Sequence, residues 1–89
     1  MAAVEKLKES IAKEMGTYGK NEVKNAVESG AAESLLLISE MTKEREGLKL
    51  LEIALKNRTE VIEISSHHHG GEMLIGLGGV AVVLRYKLT

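Results

Sequence analysis

Three consecutive histidines, His67, His68 and His69, are the residues of this 89-residue chain with the most evident chemical potential. Two serines precede them and Glu72 follows, so an imidazole there could serve as a general base or a metal ligand. Adjacent side chains in a loop rarely converge on one ion, and the chain has no cysteine or aspartate to complete a site. No acid is placed to orient a histidine toward a serine. We therefore predict no catalytic residue, cofactor or metal site, and a loop that is structural or contacts a partner.

The composition narrows the classes of function. Twelve basic and 13 acidic side chains give a formal net charge of -1, which offers no bulk electrostatic case for binding RNA or DNA. Without cysteine there is no disulfide and no zinc–thiolate site. No apolar run approaches the roughly 20 residues that a membrane span needs, and the N-terminus lacks the apolar core of a secretory signal. We expect a cytoplasmic protein that contacts neither membrane nor DNA.

Three apolar runs predict strands, and they are Leu35–Ile38, Val61–Ile64 and Val80–Leu84. Continuous apolar runs are typical of strands that are covered on both faces. We therefore expect three neighbouring, buried strands in one sheet. Because helical patterns alternate with them, the predicted fold class is α/β, a three-layer α-β-α sandwich with a central mixed sheet.

Apolar residues at helical spacing predict the elements between the strands. The predicted helices are Ala2–Met15, about Lys20–Ser29, a helix that follows the polar Ser39–Glu46 loop and ends near Lys56, and Gly71–Gly76. Asn21 and Thr42 are the expected caps of the second and third helices. In the third helix Leu48, Leu51 and Leu55 share one face, and Leu50, Ile53 and Ala54 widen the apolar stripe. Such a wide stripe predicts packing against the sheet and a neighbouring helix.

The segment Gly76–Ala81 formally fits a dinucleotide-binding fingerprint. In that motif the glycines follow a strand and open a helix, whereas here they precede a strand. We therefore predict a tight turn at Gly78 and Gly79 with backbone angles that favour glycine.

Arg85 ends the last predicted strand. The ordinary interpretation is an exposed strand end whose arginine pairs with a glutamate. The functional alternative is contact with a partner or a phosphate group.

The end of the chain carries an evenly spaced pattern. Its residues are Ser65, Ser66, His68, Gly71, Glu72, Leu74, Leu77, Gly78, Gly79, Val80, Ala81, Leu84, Arg85 and Tyr86. This pattern resembles the C-terminal domain of the Pelota family, which are ribosome-rescue factors of archaea and eukaryotes. That domain typically has a serine pair, a histidine two positions later, Gly-Glu-x-Leu, and Leu-Gly-Gly-Ile-Ala-x-x-Leu-Arg-Tyr. The resemblance extends over about residues 17 to 86 and looks archaeal.

The resemblance implies a function in the rescue of stalled ribosomes, ribosome disassembly and mRNA surveillance, including no-go decay. The implied partners are a translational GTPase of the elongation factor 1-alpha type, an ABC-type recycling ATPase and the ribosome. The family's metal-dependent mRNA cleavage is assigned to an N-terminal domain, so neither an enzyme nor a cofactor is expected here, although the full-length family protein could use a divalent metal. Residues 17–89 would form the domain, and residues 1–16 a helix from a preceding domain or linker.

The candidate partner-binding residues are His67, His68, His69, Gly70, Gly71, Glu72 and Arg85. By resemblance, His68 stands at the family's histidine position. His67 and His69 stand where acidic residues are common, which makes this loop less negative than usual in the family.

Two other interpretations stay open at this point. The fold of the Pelota domain is similar to that of ribosomal proteins that bind kink-turn RNA, so the chain could be a free-standing RNA-binding module, although its balanced charge argues against this. It could also be the C-terminal domain of a class 1 peptide chain release factor, whose domain shares the Gly-Gly to Leu-Arg-Tyr pattern.

Overall fold

The computed structural model describes residues 2–86, with side chains from residue 5 onward. In chain order the elements are α1 (Ala2–Ala12), β1 (Gly16–Tyr18), α2 (Lys20–Glu28), β2 (Ala32–Ile38), a 3-10 helix (Ser39–Lys43), α3 (Arg45–Lys56), β3 (Glu60–Ile64), α4 (His69–Gly76) and β4 (Val80–Leu84). Among the described residues, none of these helices has the length and apolar character that crossing a membrane requires.

The four strands form one mixed sheet in the order β1-β4-β2-β3. Strand β2 is parallel to β3, and β4 is antiparallel to both β1 and β2. The three predicted strands are therefore neighbours in one sheet. Helices α2 and α3 cover one face, while α1 and α4 cover the other. The predicted three-layer α-β-α sandwich is confirmed.

The central strand β2 shows why a continuous apolar run is needed. Leu35 and Leu37 point into the cluster beneath α2 and α3, whereas Leu36 points into the cluster beneath α1 and α4. All three side chains are fully buried. Burial of each leucine contributes about 2 kcal/mol, so the strand stabilises both halves of the sandwich.

Helix α1 ends earlier than predicted, at Ala12 instead of Met15. The N–H of Met15 donates to the carbonyl of Ser10 at 2.6 Å, and Glu14 between them has a φ of 61°. This is a Schellman-type ending with its left-handed residue at position 14. Glycine usually occupies that position, so the sequence pattern placed the end of the helix at Gly16.

The predicted caps of two helices are wrong. Gly19 precedes α2 and Glu44 precedes α3, and neither helix has a side-chain hydrogen bond at its N-cap. Thr42 lies in the 3-10 helix, where its hydroxyl donates to the Ser39 carbonyl at 2.7 Å. The polar segment predicted as a loop is therefore partly helical and packs against the start of α3.

Helix α3 packs against the sheet and α2 as predicted, but it buries only part of its predicted apolar stripe. Its buried residues are Gly47, Leu50 and Ala54, whereas Leu48 and Leu55 are 54% and 74% exposed. The cause is a close contact: a side chain at position 47 would collide with the Met41 carbonyl, so the helix turns its glycine toward the 3-10 helix.

Strand β3 is also less buried than predicted. It lies at the edge of the sheet, and only Ile64 is fully covered. Val61 and Ile62 are partly buried on opposite faces of the sheet. Glu63 interrupts the apolar residues of β3 and is exposed, whereas the runs of β2 at Leu35–Ile38 and of β4 at Val80–Leu84 contain no charged residue.

Candidate protein-docking site

The predicted histidine segment joins β3 to α4. We use the name histidine loop for residues 65–72, which run from the end of β3 through the first turn of α4. Because β2 and β3 are parallel, the loop lies at the same end of the sheet as the 3-10 helix that follows β2. Two connections of the fold therefore meet at this end.

His68 is a structural residue of the loop. It is the N-cap of α4, and its Nδ1 accepts a hydrogen bond from the N–H of Gly70 at 3.1 Å. Its carbonyl accepts the first helical hydrogen bond, from the N–H of Glu72. Short polar side chains normally fill this position. Because a histidine does so here, the helix begins two residues before the predicted Gly71.

The two glycines of the loop allow a close chain approach. Gly70 and Gly71 are both buried. A side chain at position 71 would collide with the carbonyl oxygen of Ser65, and it would also lie 2.9 Å from the Cα of Ser66. The first turn of α4 therefore packs directly on the chain that leaves β3. This contact fixes the shape of the loop.

The remaining side chains of the loop point into solvent. The His69 side chain is 95% exposed and lies 3.8 Å from the carboxylate of Glu72, which is 70% exposed. His67 is exposed as well. All three histidines are exposed, and only His68 among them is engaged in capping the helix. The described residues contain no group of three or more histidine, cysteine, aspartate or glutamate side chains that could hold a metal ion. This arrangement offers imidazoles to a partner.

Glu40 from the 3-10 helix joins the histidine loop, and the sequence analysis missed it. A hydrogen bond with the Ser66 side chain holds the pKa of the Glu40 carboxyl below its ordinary value. The backbone N–H of Glu40 and the charge of Lys43 also lower the pKa of this carboxyl, whereas burial raises it. The carboxylate is therefore charged at neutral pH, and its contribution to stability is lost as the pH falls through its pKa. The feature that could have pointed to Glu40 is the parallel pairing of β2 and β3, which places the segments that follow these two strands side by side.

Arg85 lies at the opposite end of the sheet from the histidine loop. Leu84 pairs with Ala32 at the start of β2, whereas Ile64 pairs with Ile38 at its end. Six residues of strand separate the two ends, which corresponds to about 20 Å. The structure therefore does not bring Arg85 together with the other candidate residues.

The guanidinium of Arg85 binds main-chain oxygens instead of the expected glutamate. It donates to the carbonyls of Ala32, Asn57 and Arg58 at 3.2, 3.3 and 3.3 Å. Asn57 is the C-cap of α3, where carbonyls lack helical partners. Arg85 therefore ties the ends of β4, β2 and α3 together.

The substitution Arg85→Lys is expected to lower the free energy of unfolding by about 1–2 kcal/mol, because an ammonium group cannot reproduce this three-way contact. Urea unfolding followed by circular dichroism measures it. Arg45→Lys is the matched control, since Arg45 is exposed at the start of α3 and makes no ion pair among the described residues. Equal midpoints for the two variants would contradict the assigned role of Arg85.

Comparison with known proteins identifies the family to which this architecture belongs. Residues 1–88 match the family model described as eRF1 domain 3. The Pelota homolog of Pyrococcus horikoshii is 47% identical over 89 residues, which cover 96% of this chain and 25% of the relative.

Two solved structures share the fold. One is Dom34 of S. cerevisiae, described as a translation termination-like factor involved in RNA quality control pathways and interacting with Hbs1. It has a TM-score of 0.89 and 29% identity, covering 98% of this chain and 27% of Dom34. The other is a model of ribosome-bound archaeal Pelota and ABCE1, with a TM-score of 0.84 and 39% identity, covering 99% of this chain and 26% of that one.

The four-stranded mixed sheet covered by two helices on each face is thus the third-domain architecture of release-factor-like proteins, and this chain belongs to the eRF1 domain 3 family. Within that family it is similar to the C-terminal domain of Pelota proteins, which confirms the resemblance found in the sequence. The chain spans about a quarter of the length of the curated relatives that it matches.

Proposed function

We propose that this chain is the protein-docking C-terminal module of a Pelota-type factor that acts in the rescue and disassembly of stalled ribosomes and in mRNA surveillance. In this function it docks a translational GTPase of the elongation factor 1-alpha type and an ABC-type recycling ATPase, and it carries no catalytic residue of its own. Family membership supports the proposal. The interaction of Dom34 with Hbs1 and the ribosome-bound Pelota with ABCE1 support the classes of partner.

The observation that carries the proposal is the construction of the histidine loop. The contact of Gly71 with Ser65 and the cap formed by His68 hold its main chain in one shape. The side chains of His67 and His69 remain exposed on that shape. An exposed segment on a rigid scaffold can bind a partner without first being ordered, which reduces the entropic cost of association.

The charge distribution favours a protein partner over RNA. Three lysines, Lys20, Lys24 and Lys49, line the groove of about 500 Å³ between α2 and α3. Three lysines along this side form ion pairs with glutamates, namely Lys20 with Glu46, Lys24 with Glu28, and Lys56 with Glu52. Lysines that are neutralised by neighbouring carboxylates contribute less to phosphate binding. The kink-turn alternative therefore loses its electrostatic basis.

The double substitution His67→Glu and His69→Glu is expected to change the affinity for the GTPase or the ATPase about tenfold, which corresponds to roughly 1.4 kcal/mol, because two exposed imidazoles become carboxylates, the chemistry common at these positions in the family. Both side chains are exposed, so the variant should unfold at nearly the same denaturant concentration as the unchanged protein. His68 is retained because it caps α4. Nuclear magnetic resonance titration with each purified archaeal protein measures the affinity and identifies the amides of residues 65–72 that respond.

The matched control is Lys24→Glu with Lys49→Glu, two charge reversals in the groove between α2 and α3. It should leave binding of both proteins unchanged. If neither protein perturbs residues 65–72 while a kink-turn RNA perturbs residues around Lys20 and Lys24, the chain is an RNA-binding module and the docking proposal is wrong.

A further inference from the structure

Strand β3 has an open edge. Among the residues that the structure describes, its only neighbour in the sheet is β2. The carbonyl of Ile64 accepts a hydrogen bond from the hydroxyl of Ser39, which directly follows β2, so this carbonyl faces β2. Along a parallel strand, the N–H and C=O groups of one residue point to one side and those of the next residue point to the other side. The N–H and C=O groups of Val61 and Glu63 therefore face outward, away from the sheet, with no hydrogen-bond partner among the described residues.

A row of exposed leucines lies above this edge. The face of α3 that meets α2 contains Glu46, Lys49 and Ile53, and the face that meets the sheet contains Gly47, Leu50 and Ala54. Because α2 packs over β4, β1 and β2 while α3 packs over β2 and β3, the third face of α3 overhangs the outer side of β3. That face carries Leu48, Leu51 and Leu55, which we name the leucine ridge.

The leucine ridge is unusual for its exposure. Leu48 is 54% and Leu55 is 74% exposed, whereas Leu51 is partly buried. Leu51 of the ridge and Val61 of the open edge pack against the same core cluster. An apolar surface directly above unpaired main-chain groups is the arrangement that β-strand addition uses, since the edge supplies hydrogen bonds and the apolar surface receives alternate side chains.

The dimensions of the ridge fit an extended chain. Seven residues of helix separate Leu48 from Leu55, which corresponds to about 10.5 Å along the axis. Alternate side chains on one face of a strand are about 6.7 Å apart. Two or three alternate side chains of an added strand would therefore lie beneath the ridge, while its main chain pairs with Val61 and Glu63.

The exposed charges on β3 determine the sign of the charged residues that an added strand would need. Glu60 and Glu63 are exposed, and neither forms an ion pair among the described residues. A second copy of β3 would place its own two glutamates beside these, and like charges on paired strands repel. Side chains alternate along β3, so Glu63 shares the ridge face with Val61 and Glu60 lies on the opposite face with Ile62. Lysine or arginine between the apolar residues of the incoming strand lies on that opposite face and would be attracted by Glu60.

From this juxtaposition we propose that the edge of β3 and the leucine ridge bind an extended segment of a partner protein that has apolar residues at alternate positions and lysine or arginine between them. The surface uses no residue of the histidine loop. It is therefore independent of the docking site proposed above, and the two sites would bind different parts of a partner or two partners at once.

The test uses the isotope-labelled 89-residue chain and a synthetic eight-residue peptide of alternating valine and lysine. The amides of Val61 and Glu63 should shift saturably and become protected from exchange with solvent. The double substitution Leu48→Gln and Leu55→Gln should weaken binding about tenfold or more, since both leucines are exposed and the fold does not need them. Glu60→Lys should transfer the preference to a peptide of alternating valine and glutamate, because Glu60 lies on the face that receives the charged residues.

Two matched controls separate this surface from others. Ile75→Gln removes a side chain of similar exposure, 49%, from α4 on the other face of the sheet and should leave peptide binding unchanged. His67→Glu with His69→Glu should leave it unchanged too, so failure of this proposal is distinct from failure of the histidine-loop proposal.

The proposal is overturned if the peptide leaves the Val61 and Glu63 amides unshifted. It is also overturned if the leucine variant binds the peptide equally well, because attraction between lysine and glutamate would then suffice. Shifts at β3 that depend on protein concentration without peptide, accompanied by dimers in sedimentation, would assign the edge to a second copy and contradict the proposal as well.

Discussion

The variant Gly71→Ala is expected to lose about 3 kcal/mol or more of its free energy of unfolding, a large share of the roughly 5–13 kcal/mol typical of a domain of this size. The added methyl group would collide with the carbonyl oxygen of Ser65 and lie 2.9 Å from the Cα of Ser66. Both obstacles are main-chain atoms, which cannot rotate away as a flexible side chain would. Either β3 or the first turn of α4 must move.

Gly76→Ala is the matched control for this effect. Gly76 ends the same helix, and a methyl group there meets no atom within 4 Å. Alanine is also the better helix former, so the control should be neutral or more stable by up to about 1 kcal/mol. Guanidinium unfolding of the two variants measures the difference. Similar midpoints would show that α4 can withdraw from Ser65 at little cost, and the histidine loop would then lack its fixed shape.

Gly47 is the other glycine at this end of the sheet whose missing side chain allows a close main-chain contact. A methyl group at position 47 would collide with the carbonyl of Met41. This contact also explains why only part of the predicted apolar stripe of α3 is buried. The apolar pattern of the helix is wide enough to fit two orientations, and the choice between them depends on the 3-10 helix packed against its first turn.

The strands were predictable because burial on both faces requires an unbroken apolar run. Leu35, Leu36 and Leu37 illustrate this, since all three are fully buried and adjacent residues point to opposite faces. The turn at Gly78 and Gly79 was predictable as well. Their φ angles of 99° and 87° lie in the region that favours glycine, as expected for a pair of glycines directly before a strand.

The site was predictable only in part, because its remaining features depend on contacts between distant segments. The exposure of His67 and His69 agrees with their polar surroundings in the sequence. The cap formed by His68 is local, but it uses a residue that seldom caps helices. Glu40 reaches Ser66 from a segment 26 positions away, and only the parallel pairing of β2 and β3 brings them together. Arg85 finds three carbonyls where a glutamate was expected.

Substitutions in α1 are also expected to lower the stability of the protein strongly. The sequence analysis assigned residues 1–16 to a preceding domain or linker, and that boundary remains a prediction. In the structure, Leu7 of α1 is fully buried in the cluster that contains Leu36 and Leu74. Lys6 also forms an ion pair with Glu33 of β2 at 3.2 Å, although exposed pairs of this kind contribute little. Packing of α1 on the sheet therefore depends mainly on Leu7.

Leu7→Ala is expected to lower the free energy of unfolding by about 2–5 kcal/mol, because the lost methyl groups leave a cavity between α1 and the sheet. Leu55→Ala is the matched control: it makes the same chemical change on a side chain that is 74% exposed, and it should cost less than about 0.5 kcal/mol. Thermal unfolding of both variants, followed at the amides of β2 and β4, measures the difference. If α1 were only a linker, Leu7→Ala would disorder the helix while the strands kept their unfolding temperature. A loss of stability shared by β2 and β4 would instead mean that the cooperative unit begins before residue 17 and that the predicted boundary lies too far along the chain.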